Sequence, residues 1–170
     1  FALPGGRIGV YTGLFKAVKN QDQLAAVLGH EVSHVLARHS NERLSQSQLA
    51  NVGMVAADTA LGDSEMRQPA MAALGLGTQV GILLPYGRVQ ESEADVLGLQ
   101  LMASAGFKPE QAVDLWRNMA AITKGKTPPE FLSTHPSSDS RINELQKQLT
   151  VVAPFYAKAQ ELGRKPQCQN

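Results

Sequence analysis

Residues 30–34 read His-Glu-Val-Ser-His, the stretch of this chain whose residue types and spacing are best suited to chemistry. On an α-helix each residue advances about 100° around the axis, so His30 and His34 stand about 40° apart, one turn above the other. Two imidazoles on one face can meet a single metal ion. Glu31 falls beside that ion rather than on it, where its carboxylate can take a proton from a metal-bound water. With 4 His and 9 Glu in 170 residues, about 0.005 copies of this pattern are expected at random, so coincidence is a poor explanation. His39, the third histidine of the stretch, lies about 180° from His30 and about 140° from His34. It joins them only if the helix breaks, and reads as a surface histidine or one standing behind the ligands.

A catalytic zinc takes three protein ligands and keeps a fourth position for water. The extended pattern H-E-x-x-H-x-x-G-x-x-H does not continue here, because Ala37 and Ser40 occupy its glycine and last histidine positions. The third ligand must come from elsewhere, and the acidic run Glu91-Ser92-Glu93-Ala94-Asp95 is the best source. Glu91 and Asp95 are one turn apart on a shared face, whereas Glu93 points about 200° from Glu91. One acid of the pair can bind the metal while the other accepts an N–H from a ligating histidine and fixes its ring. The remaining histidine, His135, precedes Pro136 in a loop. It can donate a hydrogen bond to an oxyanion, or close the site by taking the fourth metal position. Removal lowers activity in the first case and raises it in the second. Arg141, farther along, suits a pairing with Asp95 or another buried acid that fixes this loop.

These residues need elements to hold them. Asn20 or Asp22 can cap a helix whose Leu24, Val27, Leu28, Val32, Val35 and Leu36 recur at three- and four-residue spacing, a stripe expected to be buried. Ahead of it, residues 1–11 predict a hairpin around Gly5-Gly6, then a short helix from a Thr12 cap through Val18. Residues 88–105 predict a helix with an Ala94, Leu97, Leu101 and Met102 stripe, stopped at Gly106. Pro109 opens another, through Ile122, on which Trp116 reads as core. Residues 124–129 form a Gly/Pro loop, and Ser137 can cap a last helix carrying Ile142, Leu145 and Leu149. The fold class is mainly α (α+β): a helical core with a small N-terminal β-hairpin, in one catalytic domain over residues 1–170.

Composition narrows the partners. The net charge is +1 with scattered Lys and Arg, which disfavours nucleic acid. The single cysteine, Cys168, cannot form an internal disulfide. Between Arg43 and Glu91 the only charges are Asp58, Asp63, Glu65, Arg67 and Arg88, and residues 68–87 carry none. That stretch has the length of a membrane span, but Gln79, Thr78, two prolines and several glycines lower its hydrophobicity, and a buried helical hairpin needs the same small residues. The chain begins without an initiator Met or signal sequence, directly on the first strand, and reads as a fragment lacking a leader and first elements.

Taken together, HEVSH at 30–34, ESEAD at 91–95, FALPGG at 1–6 and STHPSSDSRI at 133–142 resemble the zinc metallopeptidases of the HtpX and CAAX-prenyl-protease type, within the gluzincins. The soluble bacterial periplasmic YcaL and LoiP group is most similar. The resemblance implies a zincin-like metalloendopeptidase domain holding one Zn2+ per chain. In that family the first acid of E-x-x-x-D is the ligand, which implies His30, His34 and Glu91 on zinc, with Asp95 behind them, Glu31 as base and His135 in the active site. It further implies hydrolysis of unfolded or misfolded envelope proteins by way of a zinc-bound water. The implied setting is the periplasm, at the outer membrane, through an N-terminal lipid anchor not contained in these residues. The integral-membrane relatives carry spanning helices between the motifs. This chain has only the moderately apolar region 44–87, which implies a soluble domain with a helical cover over the cleft. The exposed strand around Ile8, Gly9 and Val10 is suited to hold substrate by backbone pairing. The rival from another class is a latent or non-catalytic zinc-binding chaperone or assembly module of the same fold, against which retention of Glu31 argues.

Overall fold

The computed structural model describes residues 1–3, 5–123, 135 and 139–168. The loop expected at 124–129 and the Ser137 cap lie outside them. Two strands, β1 (Ala2–Leu3) and β2 (Arg7–Ile8), form an antiparallel pair with Ala2 opposite Ile8 and Leu3 opposite Arg7. Gly5 and Gly6 take φ values of 91° and 79°, a turn conformation that costs other residues dearly. A 3-10 turn, Thr12–Lys16, follows; Tyr11 rather than Thr12 stands at its cap position, and no side chain caps it.

Among the described residues six α-helices come next: α1 (Gln21–Leu36), α2 (His39–Leu61), α3 (Arg67–Thr78), α4 (Leu84–Ala105), α5 (Glu110–Thr123) and α6 (Asp139–Glu161), with a π-helical turn at Gln79–Leu83. The fold is mainly α with one small hairpin among the described residues. The chain divides into two compact units, residues 1–37 with 91–170, and residues 38–90.

In the first unit α1 starts at Asn20, whose Oδ1 accepts the N–H of Gln23 at 2.9 Å, so Asn20 is the cap and Asp22 is not. Gln23 is itself buried, accepts the N–H of Lys19 at 2.9 Å and donates to Gln111 on α5, tying the start of α1 to that helix. At the far end α4 closes in a Schellman turn: Gly106 has φ 93°, its N–H reaches the carbonyl of Ala103, and that of Phe107 reaches Met102. The core between α1, α4, α5 and α6 is built on Val27, Leu99, Met102, Leu115, Met119 and Leu145.

The buried face of α1 differs from the stripe the periodicity predicts. Val27 is buried, but Leu36 is 64% exposed, while Gln23, His30, Glu31 and Ser33 are buried. The polar face carrying the motif turns inward: Gln23 and Ser33 are hydrogen-bonded there, His30 Nδ1 faces Asp95 at 3.0 Å, and Glu31 Oε1 lies 3.2 Å from His135 Nε2. Leu24, Leu28 and Val32, on the opposite side of the helix, line an apolar groove with Leu101 and Phe107 instead. On α4, Ala94 and Met102 are buried as expected, Leu101 is not, and Leu99 and Ala103 complete the buried face.

The second unit is an antiparallel hairpin in which α2 packs on α3. Arg67 on α3 holds Asp58 on α2 through two hydrogen bonds of 2.7 Å. At its base the buried amide of Gln90 accepts from Arg43 Nε at 2.7 Å and donates to Glu42 at 2.8 Å. The apolar residues of this hairpin are not buried as the sequence reading expects: Leu49, Val52, Leu76, Val80 and Ile82 are all more than half exposed. The helical run Arg67–Ala105 is long and apolar enough to cross a membrane by length and composition, with a most apolar window of mean hydropathy 1.2 that is not buried.

Candidate metal centre

Two helices of the first unit bring the candidate ligands together. Gly29 on α1 and Gly98 on α4 pack backbone to backbone; a Cβ on Gly98 would lie 2.7 Å from the amide nitrogen of His30. Glu91 and Asp95 precede Gly98 by two turns and one turn, so this close crossing sets them over the histidines. The sequence reading missed both glycines. A glycine inside a helix costs about 1 kcal/mol relative to alanine, so two mid-helix glycines, one of them adjoining the motif, were the signal that could have found the crossing.

His30, His34, Glu91 and His135 offer donor atoms that all lie within 4.8 Å of one another. His30 Nε2 lies 3.1 Å from His34 Nε2, 3.2 Å from His135 Nδ1 and 3.3 Å from Glu91 Oε2. His34 Nε2 lies 3.4 Å from Glu91 Oε1. A tetrahedral zinc with bonds of about 2.0–2.1 Å has donor-to-donor edges of about 3.3 Å, so this set fits the ion in both chemistry and spacing. Charge agrees. Among the described residues the buried carboxyl groups of Glu31, Glu91 and Asp95 face one side-chain guanidinium, Arg141, and a divalent ion adds the positive charge such a carboxylate-rich site favours.

Asp95 lies outside the donor group. Its Oδ1 lies 3.0 Å from His30 Nδ1, the ring atom pointing away from the donor cluster, while both its oxygens accept from Arg141, Nε at 2.7 Å and Nη2 at 2.9 Å. Arg141 Nη1 also reaches Glu91 Oε2 at 3.2 Å. His135 is bifunctional by position: Nδ1 lies 2.8 Å from Glu91 Oε2 and Nε2 lies 3.2 Å from Glu31 Oε1. Glu93 is exposed, as its angular position requires.

His39 corrects one expectation. The helix does break ahead of it, at Arg38 with φ 58°, but His39 starts α2 in the other unit and is not among the clustered donors. It is 1% exposed, so it is no surface residue.

Burial disfavours charge on His30, yet the hydrogen-bonded carboxylates of Asp95 and Glu91 outweigh it and raise its pKa above the usual histidine value. Burial likewise opposes ionisation of Glu91 and Asp95. His135 and His30 nevertheless hold Glu91 far below the carboxylate range, and His30 with Arg141 does the same for Asp95. A proton on His30 thus supplies positive charge where a metal would.

The strand residues are arranged by the hairpin. Gly9 exchanges both backbone hydrogen bonds with Phe1, at 2.9 and 3.0 Å. The antiparallel alternation therefore turns the N–H and C=O of Ile8 toward the open edge. A shallow apolar recess lined by Val10, Tyr11, Leu14 and Val27 adjoins Glu31.

A family profile described as Peptidase family M48 matches residues 1–149, which carry this donor set. The chain belongs to that family. Among relatives in it, Mitochondrial metalloendopeptidase OMA1 of Schizosaccharomyces pombe is 39% identical over 151 residues, covering 88% of this chain and 43% of that protein. Beta-barrel assembly-enhancing protease of Yersinia pestis is 32% identical over 162 residues, covering 91% of this chain and 33% of that protein. Its counterpart in Escherichia coli K12 is 28% identical over 167 residues, covering 95% and 34%. The chain spans less than half the length of these M48 relatives. No solved structure matches it.

Proposed function

We propose that this chain is the catalytic domain of a zinc-dependent endopeptidase whose two ligand-bearing helices are separated in sequence by residues 38–90. The observation that carries this reading is the donor set of His30, His34 and Glu91 at tetrahedral spacing, with Glu31 on the same helix and not among the donors. When bound, a divalent ion supplies Lewis acidity that makes a water deprotonable near neutral pH and polarises a carbonyl. Glu31 accepts the proton at a carboxylate oxygen and delivers it to the leaving amine. His135, with Nε2 3.2 Å from Glu31 Oε1, donates to the oxyanion of the substrate carbonyl. Asp95 holds the His30 ring through Nδ1, and Arg141 holds Asp95.

Substrate lies along the open edge of β2, paired through the backbone of Ile8 and of Val10 beyond it, with Gly9 facing inward. Such pairing reads an extended chain rather than a sequence, which favours unfolded or misfolded proteins. Bacterial envelope quality control, at the periplasmic side of the outer membrane, is the setting that the sequence resemblance and the beta-barrel assembly-enhancing relatives favour. The mitochondrial relatives favour another compartment.

A second reading is latency. His135 Nδ1 lies among the donors, 2.8 Å from Glu91 and 3.2 Å from His30, which favours a fourth ligand that shuts the site. Two variants test both readings on an unfolded, fluorescently tagged protein. Glu31→Gln should keep zinc and lose cleavage by about 10²- to 10⁴-fold; cleavage at the parent rate refutes the peptidase mechanism. His135→Ala should raise cleavage if the residue blocks the metal and lower it if it serves the oxyanion.

A further inference from the structure

The mechanism above leaves one buried aromatic unused. Trp116 on α5 is the only tryptophan in the chain and is 4% exposed. It lies beside two members of the metal centre. The Arg141 guanidinium carbon sits 4.1 Å from the centre of the indole, over its face. The His30 ring meets the indole at 5.9 Å between centroids and 75° between planes, an edge-to-face contact.

Arg141 has demanding work. Its one planar group must present Nε and Nη2 to Asp95 and Nη1 to Glu91 at once. That requires the plane to be held at one tilt, and the face of an aromatic ring restrains a guanidinium in this way while leaving its edge N–H groups free to bond. The same indole limits rotation of His30, whose two nitrogens must point at Asp95 and into the donor set. A core leucine, apolar but smaller, would restrain neither.

We infer that Trp116 is a positioning residue of the metal centre: stacked on Arg141 and edge-on to His30, it preorganises Glu91 and His30 for a divalent ion. This rests on the metal-centre reading, and it assigns Trp116 more than the packing role expected from the sequence.

The test uses the full chain stripped by chelator, with Zn2+ itself as probe and affinity measured by competition with a chromophoric chelator. Trp116→Leu should weaken Zn2+ binding by about 10- to 100-fold, the range seen when groups supporting metal ligands are lost. Trp116→Phe, which keeps a ring face, should stay within about threefold of the parent. In an Arg141→Met background, Trp116→Leu should cost less than about threefold further, because the two act through one restraint. A Trp116→Leu variant that melts lower without metal yet binds Zn2+ as tightly as the parent overturns the proposal, as does full additivity with Arg141→Met.

A measurement on the parent guards against a variant that does not fold. Its single-tryptophan emission should change with added Zn2+ and stop at one equivalent; an emission indifferent to Zn2+ binding overturns the proposal. A parent that takes up no Zn2+ overturns this inference and the metal centre together. A parent that binds Zn2+, shows the Trp116 effects and cleaves nothing supports the inference and removes only the peptidase reading.

Discussion

Replacing Gly98 by alanine tests how the metal centre is assembled. The new Cβ would lie 2.7 Å from the amide nitrogen of His30, 2.9 Å from the carbonyl carbon of Gly29 and 3.0 Å from the Cα of His30. All three are backbone atoms, so no rotamer change relieves the overlap. Ordinary contact begins at 3.4 Å, and reaching it requires α1 and α4 to part by about 0.7 Å at the crossing. Overpacking of this kind costs about 1–3 kcal/mol. Glu91 and Asp95 ride on α4 and the two histidines on α1, so the same displacement opens donor edges that now measure 3.3 and 3.4 Å. Zn2+ affinity should fall by about tenfold or more, and peptide cleavage by about 10- to 100-fold, the scale of a catalytic group misplaced by about 1 Å. Gly77→Ala is the control. A Cβ at Gly77 on α3 meets nothing within 4 Å, and that change should leave Zn2+ binding alone and stabilise the chain by up to about 1 kcal/mol. The assays are thermal melting of the metal-free chain and competition for Zn2+ against a chelator. If Gly98→Ala matches the parent in both, the backbone crossing does not set the site.

Two further outcomes follow from the same geometry. His30 has a raised pKa, so its contribution to metal-free stability is fully present below the unfolded histidine value of about 6.5 and is lost as pH rises through its folded value. Glu91 and Asp95 are depressed and contribute above about pH 4, losing that stability as pH falls through their folded values. Metal-free melting temperature should therefore peak between about pH 4.5 and 6.5 and decline toward pH 8, while the increment from added Zn2+ grows over the same rise, because the ion needs His30 unprotonated. Metal-free stability that climbs from pH 6.5 to 8 contradicts this. Asn20→Ala should cost about 1 kcal/mol by removing the bond to the Gln23 amide, with Asn20→Gly milder, as read by denaturant midpoints.

Much of the site was legible because helical geometry is local. His30, Glu31 and His34 follow from 3.6-residue periodicity alone, and a cap at Asn20 or Asp22 follows from residue type and place, between which the structure chooses Asn20. The pairing of Glu91 with Asp95 on one face followed in the same way. Helix geometry treats the two acids alike; the family resemblance implies Glu91 as the ligand, and in the structure Asp95 lies at His30 Nδ1 and against Arg141. The apolar stripe of α1 was misread for a related reason. Hydrophobic periodicity assumes that buried means apolar, and here the buried face includes His30, Glu31, Gln23 and Ser33, the last two hydrogen-bonded and the first two beside Asp95 and His135.

By itself, then, the sequence determined a pair of imidazoles and a neighbouring carboxylate on one helix face, a third acid that geometry left between Glu91 and Asp95 and the resemblance put at Glu91, and a mainly helical chain to carry them. Tertiary structure decided the rest: the approach of α4 to α1 at two glycines, the donor edges near 3.3 Å, the place of His135 among the donors, and the indole beneath Arg141. The division has a physical cause. Angles around one helix are set by bonded geometry over a few residues, whereas distances between helices are set by which side chains, or missing side chains, meet where they cross.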